Sequence, residues 1–255
     1  MNTSNTDFHQ SKFPASFFHS HAPDAIAKRL SCKRHYSYLR DFVYGAVDGT
    51  VTTFAVVSGV IGAQLESKTI LILGVANLLA DGFSMAASNY LGTRTEQDER
   101  NLLRQFELSQ IEVDGEGERE EVYQILNSKG LEGDILNQAT QAITKNRQHW
   151  VDLMLAEEYG MGNMLRSPLR AGISTFAAFI ICGVSPLIPF ILKMQEAFDY
   201  ACLLTAIVFF SVGSLKSHWT TQSFIKSGVE TLSVGIGAAA LAYFIGCTLK
   251  SMTNN

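Results

Sequence analysis

Two apolar stretches near the start of the chain carry carboxylates where a bilayer-crossing helix would place them in hydrocarbon. The first, DFVYGAVDGTVTTFAVVSGVIGA, holds Asp41 and Asp48; the second, ILILGVANLLADGFSMAASNYL, holds Asp81. A charge at bilayer depth costs about 2.5 to 3.5 kcal/mol on insertion scales, so acids kept there point to ion passage rather than to stability. Asp41 and Asp48 stand seven residues apart, which puts them on one helix face about 10.5 Å apart along the axis, with Thr52 extending the stripe. On the second stretch Asn77, Asp81, Met85 and either Ser88 or Asn89 form another stripe. Taken singly, Met85 suits ordinary packing and Asp48 a hydrogen bond between helices. Together, a mid-membrane Asp and Met make a relay site for a partly dehydrated transition-metal ion.

An acid-rich segment follows directly. Glu96 to Glu121 contains ten acids against three bases, a net of −7, while the whole chain is only −4. A run of acids usually marks a solvated helix face. Here Glu107 and Gln110, and again Glu118 and Glu121, stand three apart on shared faces, and Met154 and Glu158 stand four apart. Carboxylate oxygen suits hard divalent cations, and a thioether tilts the choice towards softer ones such as ferrous iron.

These side chains must be positioned by helices, because the chain divides into apolar windows and charged segments. Mean hydropathy is only +0.11, yet the average hides windows at 42–63, 70–91, 171–192, 197–215 and 229–249, each near the ~20 residues that span a hydrocarbon core. Pro186 and Pro189, late in the third window, predict a kink or helix end. Helical spacing of apolar residues, punctuated by Gly115, Gly117, Gly130 and Gly133, predicts three amphipathic helices at 93–112, 116–128 and 132–159. The first should continue span two. The reading is an all-α protein with five transmembrane spans and a cytosolic three-helix metal-binding domain between spans two and three. Its divisions are a polar leader (1–40), spans one and two (41–92), the metal-binding helices (93–170), spans three to five (171–250) and a short tail (251–255).

Basic residues set the expected orientation. Lys28, Arg29, Lys33, Arg34 and Arg40 precede span one, Arg94, Arg100 and Arg104 follow span two, and Arg166 and Arg170 precede span three. This places the N-terminus and the 93–170 region in the cytosol. The leader has no cleavable-signal pattern, and its His9, His19, His21 and His35 sit among Pro and Ser, as in a disordered tail rather than a metal site. A bacterial inner membrane, or a vacuolar-type membrane in a eukaryote, is the expected location. Cys182, Cys202 and Cys247 read as small buried hydrophobes, and Cys32 lies in the leader.

The runs RDFVYGAVDGTVTTFAVVSGVIGA from Arg40 and NLLADGFSMAASNYLGTRTEQD from Asn77, supported by SPLIPF and GIGAAALAYFIG, resemble the vacuolar iron transporter family, which includes the nodulin-21-like proteins. The resemblance covers about residues 38–249. It implies a five-span homodimer with a pore at the dimer interface, lined mainly by span one, that moves ferrous iron and often manganese out of the cytosol in exchange for protons. Asp48 and Met85 match mid-membrane metal-handling positions, and Asp41 an acid nearer the cytosolic mouth. Glu107, Glu118, Glu121, Met154 and Glu158 match the cytosolic ligands. Two positions depart from the pattern: Gln110 stands where a glutamate is common, and Asn89 where an acid usually closes the motif.

Fe2+, with Mn2+, Zn2+ and Co2+ as competitors, is therefore expected as cargo; no permanent cofactor, enzymatic activity or nucleic-acid partner is expected. A carboxylate at low dielectric holds a proton more readily, and a divalent cation competes for the same oxygens, which is antiport in outline. A membrane-anchored metal-sensing or metal-storing protein would keep the cytosolic ligands without needing Asp48. A di-iron oxidase ordinarily needs a Glu-x-x-His pair, and neither Glu107 nor His149 belongs to one.

Overall fold

The computed structural model describes residues 20–31, 36–162, 166–217, 220 and 222–253, and no strand occurs among them. The described residues fall into two compact units that divide between Tyr36 and Ser37. In the first unit, α1 (Pro23–Ser31) opens on a proline and carries Asp24 in its first turn and Lys28 and Arg29 in its last, charges that complement the helix dipole. These nine leader residues are thus helical. His21 is exposed nearby; His9, His19, His35 and Cys32 lie outside the described residues.

The second unit begins with α2 (Leu39–Gly62) and α3 (Ser67–Val113). Three short helices follow: α4 (Gly115–Ser128), α5 (Gly133–Thr144) and α6 (Arg147–Glu157). Next come α7 (Pro168–Gly183), a 3-10 turn (Ser185–Leu187) and α8 (Ile188–Ile191), then α9 (Ala197–Ser217) and α10 (Phe224–Thr253). Five stretches are long and apolar enough to cross a membrane: α2, the first part of α3, Pro168–Ile191, α9 and α10. The five-span, all-α expectation holds. The third span is interrupted as expected, since Pro186 and Pro189 lie in the turn and short helix that succeed α7.

Helix α2 is the hub, packing against α3, α7, α9 and α10. Gly45 and Gly49 make its approach to α7 possible: an added Cβ would clash with the Thr175 carbonyl oxygen at the first and with the Phe179 backbone at the second. This small-xxx-small spacing lets two membrane helices pack backbone to backbone, without any hydrophobic drive between them. Ala46, Ala178, Cys182 and Val212 fill one contact layer and Phe54, Val57, Ile70, Leu187 and Phe190 another.

Helix α3 is 47 residues long, about 70 Å at 1.5 Å per residue, and leaves the membrane as one rod. The expected helix at 93–112 is its outer part, and α4 agrees with 116–128. The third expected helix, 132–159, is broken, because α5 stops at Thr144 and α6 starts at Arg147. Asn146 makes the break: its side-chain oxygen accepts from the backbone N–H of Gln148 at 2.9 Å and of His149 at 3.4 Å, an N-cap that helical periodicity alone does not reveal. Three expected helices therefore become four helical segments. They close on Ile111, Val122, Leu126, Leu136, Trp150, Val151, Met154 and Leu155. Arg104 Nη1 pairs with Asp152 Oδ1 at 2.7 Å and fastens α6 to the rod.

Candidate metal pathway and acidic cluster

Asp41 sits at the start of α2 and is 3% exposed. Its Oδ1 accepts from Asn89 Nδ2 of α3 at 2.9 Å and from the guanidinium of Arg166. The same amide nitrogen reaches Thr175 Oγ1 at 2.7 Å and the Ala171 carbonyl at 3.3 Å on α7. Around Arg166 the backbone is also held: its carbonyl accepts from Gln97 Nε2 at 2.6 Å, and the Ser167 N–H donates to the Tyr38 hydroxyl at 2.9 Å. Spans one, two and three thus meet at a single carboxylate.

The other stripe residues lie deeper. Asp48 is half-buried on α2 and Asp81 is exposed on α3, near enough for the two carboxylates to repel one another. Met85 is half-buried one turn beyond Asp81. Thr52 donates its hydroxyl to the Asp48 carbonyl at 2.9 Å. The side-chain nitrogen of Asn77 is buried and has no hydrogen-bond partner.

Outside the membrane, Glu107 on α3 and Glu118 on α4 are both buried, whereas Glu121 and Glu158 are exposed. Tyr159 donates its hydroxyl to Glu107 Oε1 at 2.8 Å. The second oxygens of Glu107 and Glu118 are buried without a hydrogen-bond partner, and the two carboxyls lie within each other's field. Burial, reinforced by the negative charges of Glu121, Glu107 and Glu158, pushes the Glu118 carboxyl up to about 7. Burial likewise raises Glu107 and Glu121, with Glu158 adding repulsion to each, and raises the Tyr159 phenol beside Glu107. The four acids share one field, yet among the described residues no three His, Cys, Asp or Glu side chains stand as a preformed metal-ligand group.

Gln110 is half-buried one turn after Glu107. Met154 is wholly buried in the apolar core, one turn before Glu158. His149 is exposed. Two residues of consequence escape a reading by spacing. Tyr159 follows Glu158 directly and carries no periodic signal; Arg166 counts in the sequence only as one more basic residue before span three.

Five membrane-crossing helices, with Asp41, Asp48 and Asp81 on the first two, and a continuous rod into an acidic helical domain define an integral membrane protein whose polar groups suit cations. The model of the VIT family matches residues 39–247, and the chain belongs to that family. It is 31% identical over 210 residues to "Vacuolar iron transporter 1" of Arabidopsis thaliana, covering 80% of this chain and 83% of the relative. It is 30% identical over 225 residues to "Vacuolar iron transporter" of Toxoplasma gondii, covering 84% and 74% respectively. Membership places it among transporters rather than enzymes.

Proposed function

We propose that this protein exports ferrous iron, and also manganese, from the cytosol in exchange for protons, as a homodimer whose two copies enclose the path. The observation that carries this is Asp81. It is exposed on a helix that crosses the bilayer, close to half-buried Asp48. Lipid does not tolerate a carboxylate there, so the surface that holds both acids must face a polar space, and a second copy of the chain would enclose one. The relatives' printed names support iron, and the Met85 thioether beside these acids favours a soft divalent ion. Those names also support a vacuolar-type membrane over the bacterial inner membrane expected from the leader.

In this reading Glu107, Gln110, Glu118, Glu121, Met154 and Glu158 gather the ion, and Asp41, Asn77, Asp81, Asp48, Thr52 and Met85 pass it through. The capture step exchanges charge for charge. Protons held by raised carboxyls such as Glu118 leave as the cation arrives, since both compete for the same oxygens. Placement of the acidic domain in the cytosol rests on the basic residues flanking spans one to three.

The test is uptake by sealed proteoliposomes, with Fe2+, Mn2+, Zn2+ and Co2+ in competition and a pH dye inside. Metal-dependent proton movement that vanishes in Asp48→Asn supports the carrier. Metal binding without movement across the membrane would instead identify a sensor or store.

A further inference from the structure

We infer that Arg166 is a tethered counter-cation for Asp41, one that a divalent cargo ion must displace before this acid can ligate it. The inference rests on the carrier reading above. Asp41 and Arg166 form the most enclosed ion pair among the described residues, their side chains 4% and 10% exposed. Such a pair is weak evidence for stability, because desolvation offsets the attraction, and apolar residues would serve a purely structural joint as well.

The geometry is lopsided. Oδ1 of Asp41 takes both the Asn89 amide and the guanidinium, while Oδ2 is buried with no hydrogen-bond partner. One oxygen is satisfied by the Asn89 amide and the Arg166 guanidinium together; the other is left with lone pairs and no donor. An incoming cation can approach that oxygen and compete for the carboxylate's charge. Arg166 would not be lost when displaced, since its carbonyl is held by Gln97 and the following N–H by Tyr38. Its side chain swings from a fixed anchor.

Asn89 fits this arrangement. Its amide donates to Asp41 and Thr175, whereas an acid at this position would set a second carboxylate against Asp41 and would compete for Arg166. The neutral amide leaves one carboxylate matched to one resident cation. Arg166 is thus a positioning residue, acting on cargo through Asp41.

The experiment measures Fe2+ uptake against concentration in proteoliposomes of the full chain. Removing the competitor in R166Q lowers half-saturating Fe2+ about fivefold or more, the low end of a typical coupling between two occupants. R166K, which keeps charge but loses the planar fork, shifts it the same way by less. In a D41N background, R166Q produces no further shift. A structural joint would behave differently: R166Q would lower maximal rate and melting temperature with half-saturation unchanged, and that result overturns the inference. If R166Q does not fold, unchanged half-saturation in R166K overturns it equally. Absence of uptake by the unaltered protein would sink the carrier reading, and this inference with it; uptake without the shift sinks the inference alone.

Discussion

Asp41 and Glu107 are both nearly sealed from solvent, at 3% and 2% exposure, yet the molecule treats them in opposite ways. Asp41 is met by a guanidinium and an amide. Among the described residues, Glu107 receives the Tyr159 hydroxyl and otherwise faces Glu118 and Glu158. A buried charge can be compensated by a partner or neutralised by a proton, and the two regions adopt one solution each. At Asp41 the charge is matched within the protein itself. The acidic domain stores a deficit that only protons or cations fill.

The sharpest break in this contrast is Asp48→Asn. It should reduce metal uptake and coupled proton flux to the level of empty liposomes while leaving metal binding by the acidic domain intact, as isothermal titration of the detergent-solubilised chain would show. Joint replacement of Glu118 and Glu121 by alanine should do the reverse. Ferrous affinity of the whole chain should fall about tenfold or more, equivalent to ~1.4 kcal/mol, with uptake at saturating metal retained.

Protonation tests the deficit directly. Folding raises the Glu118 carboxyl from its ordinary 4.5 to about 7. The protonated form therefore favours the fold; this contribution is complete below 4.5 and is lost as pH rises through about 7. The melting temperature of the metal-free protein should fall across that window, and metal affinity should climb over it. Glu118→Gln should flatten both profiles, and an unchanged slope would remove Glu118 from the account. The mildest probe is Tyr159→Phe. Losing one hydrogen bond to a carboxylate should cost about 1.5 to 3 kcal/mol at most and weaken metal binding without changing the uptake of bound metal.

Much of this was legible in the sequence because hydrophobic length and charge segregation are local properties. The five spans, the proline interruption at Pro186 and Pro189, and the run of span two into the polar domain all follow from windows of about twenty residues. The split at Asn146 was hidden, since a cap depends on one side chain turning back on its own backbone inside a pattern that otherwise reads as continuous helix. Seven-residue spacing placed Asp41 and Asp48 on one stripe, yet it could not show that their neighbours differ so completely. Asp41 is enclosed by residues 48 and 125 positions away in the chain. Tyr159 and Arg166 were invisible for the same reason: each matters through one distant carboxylate, and no period in the sequence records that pairing.

The unbroken rod of α3 turns residue count into phase. Asp81 and Met85 near one end and Glu107 near the other belong to one helix without a hinge, so each residue between them fixes about 100° of rotation. Deleting a single residue between Gly92 and Phe106 would swing Glu107 away from α4 and α6, or wrench Asp81 out of its facing, with every side chain chemically intact. Inserting seven residues, close to two full turns, would restore the facing and lengthen the rod by about 10.5 Å. In this protein the distance and the angle between the Asp81–Met85 turn and the Glu107 cluster are written as an integer.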